Sequence, residues 1–127
     1  MGLIHEETSK AVIGAAFEVY NSLGYGFLEK VYQKAMQVEL IQKEIQVELE
    51  YPIKINYKNI IIGDLFVDHK LIVELKVAKH YNSKDEAQLL NELKATGVEV
   101  GLLINFGANK VAFKRLVLSN KSAFNLR

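Results

Sequence analysis

The sequence predicts a single mixed α/β domain in which helices cover both faces of one β-sheet. Its 127 residues lie within the commonest size range of one domain. Helical and strand periodicities follow one another as two helices, three strands, one helix and two strands. Two of the strands, residues 59–67 and 71–77, are apolar on both alternating faces, which indicates burial on both sides. A mixed sheet with helices on both faces follows from this pattern.

Three segments are predicted to be helices. In the first, apolar residues recur at helical spacing as far as Leu23, and Gly24 is expected to end the helix. The second helix is expected to cover residues 27–43, with an apolar face made of Leu28, Val31, Tyr32, Ala35 and Met36. The third is predicted to begin at a capping box, Ser83-Lys84-Asp85-Glu86, with Ser83 as the cap, and to end at Gly97.

The remaining segments are rich in β-branched residues and are predicted to be strands. Residues 46–57 alternate in polarity, and Pro52 is expected to break this strand or to place it at a sheet edge. Residues 59–67 and 71–77 form a predicted hairpin, in which Asp68, His69 and Lys70 are the turn. Residues 98–105 and 110–119 are the last two strands, joined by a turn at 106–109.

Composition and charge restrict the possible partners. With 16 basic and 15 acidic residues the net charge is +1, so contact with nucleic acid requires a local patch. Cysteine is absent, which excludes disulfides and thiolate metal sites. No apolar run approaches the roughly 20 residues that cross a bilayer, and the acidic start does not resemble a secretory signal. We therefore expect a cytoplasmic protein that does not associate with membranes.

Basic residues concentrate in the last third of the chain. They are Lys110, Lys114, Arg115, Lys121 and Arg127. Lys110 and Lys114 share one face of a predicted strand and could contact phosphates independently of base sequence. Solvated strand ends explain these lysines nearly as well.

The predicted hairpin brings two acidic side chains and a lysine together. With a three-residue turn, opposed residues have numbers that sum to 138, so Asp64 is expected to face Glu74. Lys76 shares that face, and a shift of one residue would offset the acids but keep the three groups close. Their neighbours on this face are apolar: Ile62, Phe66 and Ile72. Carboxylates in such surroundings repel each other, and Mg²⁺ or Mn²⁺ bound between their oxygens would relieve the repulsion.

The hairpin acids, and a further acid at Glu29, can also be explained without a catalytic or metal-binding role. The hairpin acids could face solvent, where Lys76 would form a surface ion pair worth about 0–1 kcal/mol. Glu29 lies at the border of the apolar stripe of the second helix. It is either a first-turn acid favoured by the helix dipole or a side chain directed at a cationic group in the interior. The residues alone leave both choices open.

Several strings resemble one known group of proteins. Gly26-Phe27-Leu28-Glu29-Lys30-Val31-Tyr32 matches the signature of the GxxExxY proteins, and Asp64 followed by Glu74-Leu75-Lys76 resembles the D…ExK core of the PD-(D/E)xK nuclease superfamily, to which that group is assigned. Strings at residues 87–91 and 101–107 add to the similarity, which thus covers nearly the whole chain. The resemblance implies a restriction-endonuclease-like core in a single PD-(D/E)xK nuclease-like domain over residues 1–127.

The resemblance also implies a reaction, namely metal-dependent hydrolysis of phosphodiester bonds in nucleic acid, with DNA as the favoured substrate. Asp64, Glu74 and the backbone carbonyl of Leu75 would be ligands of Mg²⁺ or Mn²⁺. Lys76 would polarise the attacking water or stabilise the phosphate in the transition state.

Two helical residues complete the implied site. Glu29 would support the metal or orient water, and Gln88 would be the helical glutamine found near the active site of related nucleases. Helical periodicity instead places Gln88 opposite the leucines of its helix. Asp85 and Glu92 stand where histidine and tyrosine are usual in this group.

A nuclease-fold protein that binds nucleic acid or protein without catalysis is the alternative function. A chain of 127 residues leaves little length for a separate recognition domain. Any specificity is therefore expected to come from a homodimer or from a partner protein.

Overall fold

A five-stranded sheet forms the centre of the computed structural model, which describes residues 3–55, 58–80 and 82–118. The elements in chain order are α1 (Glu6–Leu23), α2 (Glu29–Gln42), β1 (Val47–Leu49), β2 (Pro52–Ile55), β3 (Lys58–Ile61), β4 (Leu65–Val67), β5 (Leu71–Lys76), α3 (Ser83–Thr96), β6 (Val100–Asn105) and β7 (Ala112–Val117). The strand order of the large sheet is β1-β4-β5-β6-β7, and β2 and β3 form a separate two-stranded sheet. Only β5 and β6 run parallel, so the large sheet is mixed.

Helices cover both faces of the large sheet. α1 and α2 pack on the face that carries Val73 and Leu75, and α3 packs on the opposite face, against Ile72 and Leu103. Because successive residues of a strand point to opposite faces, the central strand β5 must be apolar in both phases to be covered twice. The predicted fold class is therefore confirmed.

The first two helices agree with the prediction in extent but not in the buried face of α2. α1 ends at Gly24, whose φ of +72° suits a residue without a side chain. Leu28, the N-cap of α2, and Val31 are exposed, and the buried residues of α2 are Tyr32, Gln33, Met36 and Leu40. The predicted apolar face was thus wrong in part. The buried stripe includes a polar residue, Gln33, whose side chain donates a hydrogen bond to the backbone next to β4.

The N-cap of the third helix lies one residue earlier than predicted. The side chain of Asn82, not that of Ser83, accepts a hydrogen bond from the backbone N–H of Lys84, at 2.9 Å. Asn82 is therefore the N-cap, and Ser83 is the first helical residue. The predicted end at Gly97 is confirmed, with φ of +77°.

Two predicted strands are each divided. Residues 46–57 form β1 and β2, which are separated at Glu50, a residue with φ of +50°. Residues 59–67 form β3 and β4, separated around Gly63, with φ of +56°. The hairpin turn at 68–70 and the pairing of Leu65 with Val73 confirm the predicted register. The predicted strand ends at residues 57 and 119 lie outside the described residues.

The parallel pair of strands fixes where functional side chains can meet. β5 and β6 are joined through α3, as a parallel connection requires, and both end at the same edge of the sheet. Lys76 and Asn105 are paired at that edge. Asn105 donates to and accepts from the backbone of Ala78, at 2.8 and 3.0 Å, and so holds the loop after β5 against β6.

The same loop contact makes Gly107 sensitive to substitution. A Cβ atom there would lie 2.3 Å from the carbonyl carbon of Val77 and 2.4 Å from the nitrogen of Ala78. We expect Gly107→Ala to lower the free energy of unfolding by about 1–3 kcal/mol, since the backbone must move to admit the methyl group. Urea unfolding measures this. Gly14→Ala is the control: nothing lies within 4 Å of its Cβ position in α1, so it should stabilise by up to about 1 kcal/mol. An unchanged midpoint for Gly107→Ala would contradict the contact.

Candidate functional site

Asp64 lies at a corner just before β4, not in the ladder. Its backbone N–H donates to the carbonyl of Val73, at 2.8 Å, although Val73 is already the partner of Leu65. The prediction that Asp64 directly faces Glu74 in a regular pair was therefore wrong, because the chain turns at Gly63 and offsets Asp64 by one residue. The Asp64 carboxylate instead accepts a hydrogen bond from the N–H of Leu75, at 2.6 Å. It thus occupies the place of a strand partner beyond the end of β4.

Glu74 is a buried carboxylic acid in the middle of the sheet. Its residue is 8% exposed and lies on the face covered by α3, as do the buried Ile72 and Phe66. Burial, and then the charges of the nearby Asp64 and Glu92, raise the pKa of Glu74 to about 8 against the opposing effect of Lys76. The alternative of a solvent-facing ion pair is therefore wrong for Glu74. At this position a negative charge needs a cation close by.

Lys76 places an ammonium group beside these acids. Its Nζ atom lies 4.0 Å from Oε2 of Glu74 and 3.7 Å from Oδ1 of Asp85, and its side chain is 25% exposed. Lys76 ends β5, so its ammonium group stands where the sheet opens to solvent. It therefore has one side against the buried acids and one side accessible to a ligand.

Glu29 occupies the first turn of its helix, as the first of its two interpretations predicts. It is the first residue of α2 and is half-buried. Burial raises its pKa, and the charge of Asp64 raises it further, whereas Lys76 lowers it. Glu29 thus combines a first-turn position with an orientation that brings its charge into range of Asp64 and Lys76.

The structure does not bring Gln88 to the acidic cluster, where the resemblance placed it, but agrees with the helical periodicity that directed it away from the leucines of its helix. Gln88 is exposed on α3 and lies beside the carboxyl group of Glu92. Glu92 is the side chain on α3 that faces Asp64 and Glu74. Burial raises its pKa and the charge of Asp64 adds to this, against the hydrogen bonds from Gln88 and Gly63, and its Oε1 atom is buried with no hydrogen-bond partner among the described residues. The structure therefore brings Glu92, rather than Gln88, to the acidic cluster.

Sequence reasoning missed Asp85 and Glu92 as residues of this site, although a signal was present. Asp85, Leu89 and Glu92 have the spacing of one helix face, and Leu89 is fully buried. The two acids therefore lie on the side of α3 that meets the sheet. These are the two positions at which the sequence has an acid where the family usually has histidine or tyrosine.

Gln33 was also missed, and it anchors the corner that carries Asp64. Its Nε2 atom donates to the backbone carbonyl of Asp64, at 3.0 Å, and to a carboxylate oxygen of Glu50, at 3.2 Å, while the residue is 2% exposed. A buried amide with both contacts satisfied fixes the corner to α2. The spacing of apolar residues could not predict this buried contact, because a glutamine is expected at the surface.

Replacement of Gln33 tests this anchor. We expect Gln33→Leu to destabilise the protein by about 1–3 kcal/mol, because the carbonyl of Asp64 loses its donor in a buried place. The change is measured by urea unfolding at pH 7. Gln42→Leu, at the exposed end of the same helix, is the matched control and should alter stability by less than about 0.5 kcal/mol. Equal effects of the two substitutions would argue against the anchor.

The oxygen atoms at this edge suit a hard divalent cation. Asp64 and Glu74 are carboxylates whose pKa values burial raises, so a bound cation would offset a real electrostatic cost. The carbonyl of Leu75 points to the same side of β5 as its N–H, which contacts Asp64. Within residues 3–55, 58–80 and 82–118, no three His, Asp or Glu side chains are grouped closely enough to hold a metal by themselves. The donors fit a site of two carboxylates and a carbonyl.

The fold and the acidic edge together define a class of protein. A mixed sheet lies between helices, with Asp64 and Glu74 on its central hairpin region and Lys76 two residues beyond Glu74. The family model described as the PD-(D/E)XK nuclease superfamily matches residues 6–116, and the chain belongs to this superfamily.

Among solved structures, a crystal structure of SSO0001 is similar. The TM-score is 0.53 and the sequence identity 16%, so the similarity concerns the fold alone. The match covers 96% of this chain but 64% of that chain, so this protein spans less than two thirds of the length of SSO0001. No curated protein matches the sequence significantly. In the part of the chain that the structure describes, no helix is both long and apolar enough to span a bilayer.

Proposed function

We propose that this protein is a metal-dependent nuclease that hydrolyses phosphodiester bonds in nucleic acid, with DNA as the favoured substrate and Mg²⁺ or Mn²⁺ as the cofactor. We further place it in the GxxExxY group, on the string from Gly26 to Tyr32, as a single nuclease-like domain over residues 1–127. One observation carries the activity: the buried carboxylate of Glu74, the offset carboxylate of Asp64 and the ammonium group of Lys76 converge at the open edge of the sheet.

Asp64, Glu74 and the carbonyl of Leu75 would hold the metal. A bound Mg²⁺ or Mn²⁺ supplies charge neutralisation of the phosphate and a lower pKa for water at the site. The hydrogen bond from Leu75 N–H to Asp64 keeps one carboxylate oxygen in a fixed position and leaves the other available. The chain therefore provides an oriented oxygen ligand before any ligand arrives.

Lys76 would act on the phosphate. Its ammonium group is held between Glu74 and Asp85 at the solvent-accessible edge, where it can stabilise the negative charge that develops on a phosphate oxygen. A fixed charge in a partly buried place is more effective than the same charge in water, because little solvent must reorganise.

Glu29 would orient water, since its half-buried carboxyl group is in range of Asp64 and Lys76. For Gln88, the proposal is limited to an indirect role through the carboxyl group of Glu92, beside which it lies.

A cleavage assay tests the activity. Purified protein is incubated with labelled single- and double-stranded DNA and with RNA, in Mg²⁺, in Mn²⁺ and in EDTA. We expect shorter products with either metal and none in EDTA. Absence of products from every substrate, with a protein that unfolds cooperatively, would refute the nuclease proposal.

The alternative is a binding module of the same fold, without turnover. The ion pair between Lys76 and Asp85, at 3.7 Å, is the observation in its favour, because it occupies the lysine that catalysis requires. In this alternative, a homodimer or a partner protein would supply the specificity of binding.

Titration calorimetry with Mg²⁺ and Mn²⁺ separates the two functions. We expect the wild type to bind metal and Asp64→Asn to bind at least tenfold more weakly, because asparagine can still accept from Leu75 N–H but lacks the charge. Thermal unfolding serves as the control for folding. A folded wild type that binds neither metal at millimolar concentration would favour the binding module.

A further inference from the structure

A cavity of about 350 Å³ opens beside Lys76, on the α3 side of the sheet. Asp64 and Glu74 do not line it, so it lies next to the acidic cluster rather than within it. Part of its wall consists of small or apolar side chains: Leu103, Ala108 and Ala112. The volume is at the lower end of the range of about 300–1,000 Å³ for ligand sites. It therefore has room for a group of the size of one nucleotide, not for a folded segment.

The entrance to this cavity is basic. Lys76, Lys79 and Lys114 line it, and Asp85 is the one acidic residue among its described lining residues. Lys79 and His80, which follow β5, are exposed and also line the cavity. Lys114 contacts the partly buried Glu86 at 3.2 Å, but its own side chain is 53% exposed, so its ammonium group remains accessible to a phosphate. The charge of the entrance is complementary to an anion.

The sheet places Lys114 on the same face as Lys76. Lys114 pairs with Leu103, which pairs with Glu74, and Lys76 lies two residues beyond Glu74. Only β6 separates β5 from β7, so the two lysines originate from strands about 10 Å apart. The cavity lies between them. An extended strand that placed one phosphate at Lys76 could place a neighbouring phosphate at Lys114.

We propose that this cavity binds one unpaired nucleotide next to the phosphate at Lys76, so that the substrate is single-stranded nucleic acid. The inference rests on the proposed function for the phosphate site at Lys76. A base inside a duplex is stacked and paired, and it can enter a pocket beside the cleavage site only after it leaves the stack. A single strand, or an unpaired end, does not bear this cost. Lys79 and Lys114 would contact its phosphates without reading base sequence.

Fluorescence anisotropy in EDTA tests this assignment without turnover. The probes are a labelled single-stranded DNA of about 12 nucleotides and the corresponding duplex. We expect the wild type to bind the single strand at least tenfold more tightly. Ala112→Phe fills the cavity from an exposed position on β7 and should weaken single-strand binding at least tenfold, with duplex binding unchanged. Ala112→Ser keeps the cavity open and is the matched control.

The salt dependence of binding tests the lysine contact independently. Lys114→Gln should lower the slope of log K against log salt concentration by about 0.7 for the single strand, the value for one lost phosphate contact. Lys70→Gln, in the hairpin turn away from the cavity, should leave the slope unchanged. Thermal unfolding of each variant verifies that it is folded.

The outcomes distinguish this inference from the proposed function. Equal affinity for single strand and duplex, or unchanged single-strand binding by Ala112→Phe, overturns the cavity assignment even if the protein cleaves DNA in Mg²⁺. Strand-selective binding that Ala112→Phe abolishes supports the assignment even if no substrate is cleaved, in which case the nuclease proposal alone fails.

Discussion

Lys76→Ala is expected to reduce cleavage of DNA at least 100-fold in Mg²⁺. The loss follows from the position of the ammonium group, which is the cation next to Glu74 at the accessible edge of the sheet. Removal of one preorganised charge or donor from a reacting site typically costs about 10²–10³ in rate. Single-turnover cleavage with excess enzyme is the appropriate measurement, because it reports the chemical step rather than product release.

Metal binding should not weaken when Lys76 is replaced, and this separates a catalytic role of Lys76 from a structural one. Without the ammonium group, the acids lose a competing positive charge, so calorimetry should show Mg²⁺ binding that is retained or strengthened in Lys76→Ala. Lys70→Ala, in the turn at the other end of the hairpin, is the matched control and should cleave like the wild type. Cleavage that persists unchanged in Lys76→Ala would contradict the mechanism and indicate a contaminating nuclease.

Glu74→Gln is expected to make the metal-free protein more stable at pH 8, by roughly 2–4 kcal/mol. The pKa of Glu74 is raised from 4.5 to about 8 by burial and by neighbouring acids, so the folded protein holds a proton that the unfolded chain releases. The free energy of unfolding therefore contains a contribution that is complete below pH 4.5 and is lost as the pH rises to about 8. Glutamine is neutral throughout and does not lose this contribution.

Urea unfolding in EDTA between pH 5 and pH 8 measures the effect. The difference in stability between Glu74→Gln and the wild type should grow with pH across the window set by 4.5 and about 8. Glu18→Gln, at an exposed position of α1, is the control and should leave the pH dependence of the wild type unchanged. Parallel pH profiles for Glu74→Gln and the wild type would show that Glu74 is not a buried acid of raised pKa.

The hairpin shows how far local sequence reasoning reaches. A three-residue turn at Asp68–Lys70 and two β-branched flanks are enough to fix the pairing of Leu65 with Val73, because the period of a strand is two residues. The same rule placed Asp64 opposite Glu74, and there it failed. Gly63, with φ of +56°, ends the ladder one residue early, and periodicity carries no information about such a break.

Helix faces were harder to predict than helix extents. At α2, Leu28 in the N-cap and Val31 in the first turn belong to an apolar pattern, yet they are exposed, and Gln33 is buried instead. Gln33 faces inward because the corner at Asp64 offers it a carbonyl acceptor from another part of the chain. A contact between residues so far apart in sequence leaves no periodic signal.

The sequence by itself determined the order of helices and strands, the mixed sheet covered on both faces, and the presence of Asp64, Glu74 and Lys76 near one edge, because these follow from periods of 2 and 3.6 residues and from the chemistry of a short turn. Only the tertiary structure decided that Asp64 is offset, that Gln33 anchors the corner at Asp64, and that a cavity separates Lys76 from Lys114. These features depend on how α3 and α2 pack against the sheet. Packing brings distant residues into contact, and no local pattern encodes that choice.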